Sequence, residues 1–187
     1  MTSIPLSLRR KVVIALDGDH VSPVSDGDTG ESRYDSFKTV AWCKANLLRA
    51  HQDHVFLVTS LDAASAFDGG VLSAMWTSLN ATEDPHQSRA KEAEAALRRL
   101  AEALHAVGVS CTMEVLRGPP SETIPEYVRL HRGELLAAQV VGRSALAEAV
   151  SFGWPDLCAR AAGCPTVLIR VADLPENVAS ALDPPPQ

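Results

Sequence analysis

Basic charge is in short supply in this 187-residue chain. Seventeen lysines and arginines stand against twenty-three aspartates and glutamates, a net of −6. That argues against a general nucleic-acid binder, whose footprint is a basic face. Aromatic residues make up only 5%, too few for a run of base-stacking platforms. The four cysteines (Cys43, Cys111, Cys158 and Cys164) are scattered, with no Cys-x-x-Cys pair. A zinc site or a dithiol redox motif needs two close thiolates, so buried, reduced thiols of a cytosolic protein are expected instead. No apolar run reaches the ~18 residues of a membrane span. Met1–Arg10 lacks the apolar core of a secretory signal. The expected location is the cytoplasm, with no membrane and no nucleic acid among the partners.

Hydrophobic residues, by contrast, make up 46% and are mostly Ala, Leu and Val, the mixture suited to helices packed on a buried sheet. Short apolar runs and helical patterns alternate. Residues 11–16, 54–61, 109–116, 135–141 and 165–171 read as strands, the fourth of them as a fully apolar one. Asp35 or Ser36 is placed to cap a helix that buries Phe37, Val40, Ala41, Leu47 and Leu48. Residues 88–107 carry the clearest helix, with Ala93, Leu97, Leu100, Leu104 and Val107 on one face and Gly108 as its stop. Ser121 is placed to cap a short helix with Ile124, Tyr127 and Val128 inward. Gly153-Trp154-Pro155 opens the last helix, with proline in its first turn. Residues 62–86 read as an irregular excursion in which Trp76 is either a lid or a core plug. The organisation expected is an arm at 1–10, one α/β domain at 11–171, and a Pro-rich disordered tail at 172–187.

Strict alternation of this kind predicts a five-stranded parallel sheet with helices on both faces. Ligands of such sheets sit outside the carboxyl ends of the strands, where strand order reverses. Attention therefore falls on Asp17-Gly18-Asp19 and on Val141-Gly142-Arg143-Ser144-Ala145. Two chemistries compete there. The first strand and Asp17-Gly18-Asp19 resemble the opening motif of haloacid-dehalogenase-like phosphatases, in which the first Asp attacks phosphorus and the second is the acid/base beside magnesium. Ser60 falls where those enzymes keep a phosphate-binding hydroxyl. The position after the fourth strand, however, reads Val140-Val141-Gly142-Arg143-Ser144-Ala145, with no carboxylate to clamp a metal. The other chemistry is binding alone. Glycines at a strand exit and a helix entry offer backbone N–H groups to an anion, and Asp17 can accept from ribose hydroxyls or an adenine amine.

Five segments, in order, are similar to the universal stress protein family over residues 11–171. They are Val12-Val-Ile-Ala-Leu-Asp17-Gly18, Val55-Phe-Leu-Val-Thr-Ser-Leu-Asp62, Glu114-Val-Leu-Arg-Gly118-Pro-Pro-Ser-Glu-Thr-Ile124, Gln139-Val-Val-Gly142-Arg143-Ser144 and Ala162-Gly-Cys164-Pro165-Thr-Val-Leu-Ile-Arg170. The resemblance implies strand order 3-2-1-4-5, a Rossmann-like domain, and a homodimer formed through the strand Thr166–Val171. It also implies a binding or regulatory module rather than an enzyme. The nucleotide would be ATP or AMP, with magnesium, held by Asp17, Gly18, Val141, Gly142, Arg143, Ser144 and Gly153. ATP-binding members carry Gly-x-x-Gly, a nine-residue spacer, then Gly-Ser/Thr. Here the second glycine is Ala145, the spacer to Gly153 is seven residues, and Trp154 replaces the hydroxyl residue. These departures speak against tight ATP binding, and they leave open a scaffold without ligand whose pocket Trp154 fills.

Other conspicuous groups read as structural. His51 and His54 straddle a helix-to-strand turn without a third ligand. Asp26-Gly-Asp28-Thr-Gly-Glu31 lacks the full oxygen set of a calcium loop. Arg98-Arg99 belongs to a solvated helix face. The acidity itself is local: residues 17–35 carry six acids against Arg33, a net of −5, which leaves −1 for the remainder. A phosphate tail arriving there meets repulsion unless a cation screens it.

Overall fold

A computed structural model describes residues 4–18, 32–62, 85–140 and 153–175, with Val178 and Leu182. Among the described residues, nine strands and α-helices alternate: β1 (Arg10–Asp17), α1 (Ser32–Asn46), β2 (Asp53–Leu61), α2 (Pro85–Ala106), β3 (Ser110–Arg117), α3 (Pro120–His131), β4 (Leu135–Val140), α4 (Trp154–Ala161) and β5 (Thr166–Arg170). The strands form one parallel sheet in the order β3-β2-β1-β4-β5. Val12, Val13, Ile14 and Ala15 of the central strand have no exposed surface. A strand covered on both faces has to be apolar on both, which is why β1 shows no alternation.

One face carries α1 and α2: Val40, Ala41, Ala93, Leu97, Leu100 and Leu104 pack on Val12, Ile14, Leu16, Val55 and Leu57. The other carries α3 and α4: Ile124, Tyr127, Val128, Cys158 and Ala162 pack on Val13, Ala15, Phe56, Val58 and Leu136. An ion pair pins the start of β1. Arg10 donates from Nε and an Nη to the two oxygens of Asp53 (3.0 and 2.6 Å), and the Arg49 N–H adds a third bond at 2.7 Å.

Several element ends differ from the sequence expectation. The α1 helix begins at Ser32, so Asp35 and Ser36 lie inside it instead of capping it, and Ser36 is buried. The expected cap at Ser121 is likewise replaced. Pro119 is the N-cap of α3 and Pro120 its first residue, a position where the missing N–H costs nothing. Strand β3 starts one residue late because the Val109 N–H is spent on Leu104 O, closing α2 around Gly108 at φ +78°. The stretch expected to be a disordered tail behaves differently at its described apolar positions. Leu174 and Val178 pack against the α1/α2-side core and Leu182 is buried within it. Burying those side chains removes apolar surface that a solvated tail would leave in water. Of the acidic loop expected at 19–35, residues 19–31 lie outside the described residues and 32–35 belong to α1; the excursion expected at 62–86 lies outside them but for Asp62, Pro85 and His86.

Candidate functional site

Strand register creates a gap at the carboxyl end of the sheet. The β1–β2 ladder runs on to Asp17↔Ser60, and the β4–β5 ladder to Val140↔Arg170. The ladder between β1 and β4 stops earlier, at Ala15↔Ala138. The two central strands therefore part over their last residues, at the point where strand order reverses between β1 and β4. This is the crevice that doubly wound sheets use for ligands.

Gln139 occupies the split. Its Oε1 accepts the Asp17 N–H at 3.1 Å, with the Ser36 hydroxyl at 3.4 Å. A side-chain carbonyl thus takes the Asp17 N–H at the point where the β1–β4 backbone ladder has stopped. The residue has no exposed surface, and its Nε2 has no hydrogen-bond partner among the described residues. The amide orientation follows from chemistry: the Asp17 N–H is a donor and must face the oxygen, so the N–H₂ is turned away from it. Sequence reading treated this strand as fully apolar and missed Gln139. The available signal was one amide side chain in an otherwise apolar run, which a fully buried parallel strand would not carry without a partner.

Asp17 stands at the lip of the crevice. Its Oδ2 accepts a hydrogen bond from the Trp154 indole at 3.3 Å. Trp154 is the first residue of α4, with Gly153 as the N-cap in extended backbone, and its ring packs partly buried against the α3/α4-side core. The start of α4, with Gly153, is thus brought onto the end of β1, beside Asp17. The residue that makes the contact is the bulky one standing where the binding signature has a hydroxyl. Gly18 is there for space. A Cβ would meet the Ser60 carbonyl oxygen at 2.5 Å and Leu61 Cδ2 at 3.0 Å, so no other residue passes β2 at this point. Val141, Gly142, Arg143, Ser144 and Ala145 lie outside the described residues, as does Asp19.

The hydroxyl that a phosphatase reading needs is committed elsewhere. Ser60 Oγ donates to Gly118 O at 2.6 Å and lies 2.9 Å from Thr123 Oγ1, holding the β3–α3 turn. Among the described residues, no three His, Cys, Asp or Glu side chains group so as to hold a metal ion. Both ring nitrogens of His54 bond hydroxyls, those of Ser110 and Thr112, each at 3.0 Å. All four cysteines are unpaired with one another. Burial pushes the Cys111 and Cys158 thiols up to about 12 and raises Cys43 and Cys164 as well. Protonated thiols at neutral pH are poor nucleophiles and poor metal ligands. Among the described residues, no helix is long and apolar enough to cross a membrane.

Comparison with known proteins agrees with this architecture. No curated protein matches. A universal stress protein family protein from Arabidopsis thaliana, solved with AMP bound, is similar at TM-score 0.54 and 17% identity, over 91% of this chain and 99% of that one. The universal stress protein UspA from Lactobacillus plantarum gives 0.54 at 16%, over 86% and 97%. A universal stress protein from Archaeoglobus fulgidus gives 0.52 at 14%, over 87% and 94%. At these identities the likeness establishes the shared fold. The model of the Universal stress protein family matches residues 30–170, three quarters of the chain and four of its five strands, and the chain belongs to that family.

Proposed function

We propose that this protein is a cytoplasmic nucleotide-responsive module that takes an adenine nucleotide in the β1–β4 crevice, AMP in preference to ATP, and carries out no turnover. The observation that carries this reading is the split of β1 from β4, with the Asp17 carboxylate at its lip and the start of α4 opposite. Asp17 accepts from the nucleoside, and Gly18 and Gly153 line the approach. The segment Val141-Gly142-Arg143-Ser144 supplies amides and a guanidinium to the phosphate. AMP is also the ligand of the Arabidopsis relative. The preference for one phosphate over three follows from Ala145, the shortened spacer and the acidic 17–35 segment. Magnesium enters with ATP as the screening cation and is held by the phosphates.

Occupation of Asp17 by the Trp154 indole favours weak binding, and in the limit a scaffold that has lost its ligand. Calorimetric titration with AMP and ATP, with and without magnesium, separates these. The expected result is AMP binding weaker than ~10 μM, with ATP weaker still unless magnesium is present. Silence with AMP at millimolar concentration overturns the nucleotide reading. Tight magnesium-free ATP binding overturns the account of Ala145 and Trp154.

The module forms a homodimer through β5 in the same reading. Among the described residues that strand pairs only with β4, and Leu168 is 39% exposed, an open edge that a second chain covers. Light scattering that finds only monomer at micromolar concentration counts against it.

A further inference from the structure

The Gln139 amide has a donor to spare beside the split between β1 and β4. Its oxygen is used twice, by the Asp17 N–H and the Ser36 hydroxyl, while its Nε2, fully buried, has no partner among the described residues. An orphaned buried donor is rare and destabilising, and it is usually completed by a water or a ligand. Here it belongs to an amide whose oxygen takes the Asp17 N–H where the β1–β4 ladder has stopped. An apolar residue would fill this position of a buried strand without cost, so the amide is expensive to keep for packing alone.

We infer that Gln139 is a ligand-contacting residue: its free N–H₂ donates to an acceptor atom of the nucleoside while Asp17 accepts from a neighbouring donor. The inference rests on the proposed nucleotide site and goes further in specifying the edge recognised, an acceptor beside a donor. Two parts of AMP present that pair. Adenine carries its N6 amine next to a ring nitrogen, and ribose carries vicinal hydroxyls, each able to donate and accept. The donor also sets the direction of discrimination, because a ligand without the acceptor leaves the amide unpaired in the complex.

The test combines side-chain amide NMR of the wild-type protein with calorimetry of Gln139→Met, an apolar replacement of similar length. Titration with AMP is expected to shift the Gln139 N–H₂ resonances, and Gln139→Met to weaken AMP binding by about tenfold. Inosine monophosphate, in which acceptor and donor on the base edge are exchanged, and 2′- and 3′-deoxy-AMP locate the contact. Loss of affinity with the first assigns it to the base, and with the others to the ribose. The discrimination found must shrink in Gln139→Met. Unmoved Gln139 resonances at AMP saturation, or a folded Gln139→Met that binds AMP as the wild type does, overturn this inference and leave the nucleotide reading standing. A changed melting temperature without a resonance shift marks Gln139 as structural and also overturns it. Absence of AMP binding in both wild type and Trp154→Ser overturns the two together. The resonance measurement does not depend on the variant folding.

Discussion

Replacing Trp154 by serine restores the hydroxyl of the binding signature and removes the contact that now holds Asp17. Two effects of opposite sign follow. A fully buried tryptophan removes roughly 150–250 Å² from water. At ~25 cal/mol per Å² and with Trp154 only partly buried, its loss destabilises the fold by ~2–3 kcal/mol. The nucleotide, however, no longer competes with the indole. A hydrogen bond to a charged acceptor contributes about 1.5–3 kcal/mol, and at 3.3 Å this one belongs at the weaker end. Releasing ~1.5 kcal/mol corresponds to about a tenfold gain in AMP affinity. Trp154→Phe isolates the hydrogen bond, since it keeps a ring in place and loses only the donor. Calorimetry with AMP and thermal unfolding of the same samples read both effects. A folded Trp154→Ser that binds AMP no better than the wild type refutes the competition between indole and ligand for Asp17.

Three further outcomes test the frame around the site. Gly18→Ala drives a methyl to 2.5 Å from the Ser60 carbonyl and should cost about 1–3 kcal/mol in urea unfolding, as overpacking against backbone does; an unchanged midpoint removes the close-approach argument. Asp53→Ala strands Arg10 and the Arg49 N–H, and with Arg10 about a third exposed a loss of ~2–4 kcal/mol is expected; a neutral result would mean that the pair does not pin β1. His54 is held below the ordinary imidazole value by burial first, then by the charges of Arg9, Lys11 and His105. The unfolded chain therefore binds the proton more tightly. The stability from keeping this ring neutral is present above the unfolded value near 6.5 and is lost as pH falls below it. Melting temperatures should drop between pH ~7 and ~5 in the wild type and less so in His54→Phe, and parallel profiles would contradict the assignment.

Much of the architecture was legible because it is written in local pattern. Runs such as Val12–Leu16 and Val55–Val58 are apolar on both faces, and only a parallel strand sandwiched between helix layers requires that. The heptad-like spacing of Ala93, Leu97, Leu100 and Leu104 marks α2 in the same way. Asp17, Gly18 and Gly153 could be singled out because strand ends and helix starts are visible one segment at a time. Helix starts were less secure. Proline 119 and Ser32 displaced the expected caps because several nearby residues can begin a helix, and packing chooses among them. Leu182 shows a different limit: Leu174, Val178 and Leu182 recur every four residues, but Pro175 and the closing Asp183-Pro-Pro-Pro-Gln made the stretch read as a tail.

What the sequence determined by itself is the fold class, the family and the end of the sheet where a ligand belongs. Tertiary structure alone decided the state of that end. The Asp17 N–H reaches Gln139 across 122 residues and the Trp154 indole reaches Asp17 across 137. Contacts of that separation exist only once β4 lies beside β1 and α4 follows it back over the sheet. A linear reading marks Gln139 only as one amide in an apolar run, because neighbouring residues do not show what that amide faces. The fold places its oxygen on a strand end and leaves its nitrogen with no partner among the described residues, and a buried donor in that condition is defined by three-dimensional surroundings that periodicity does not encode.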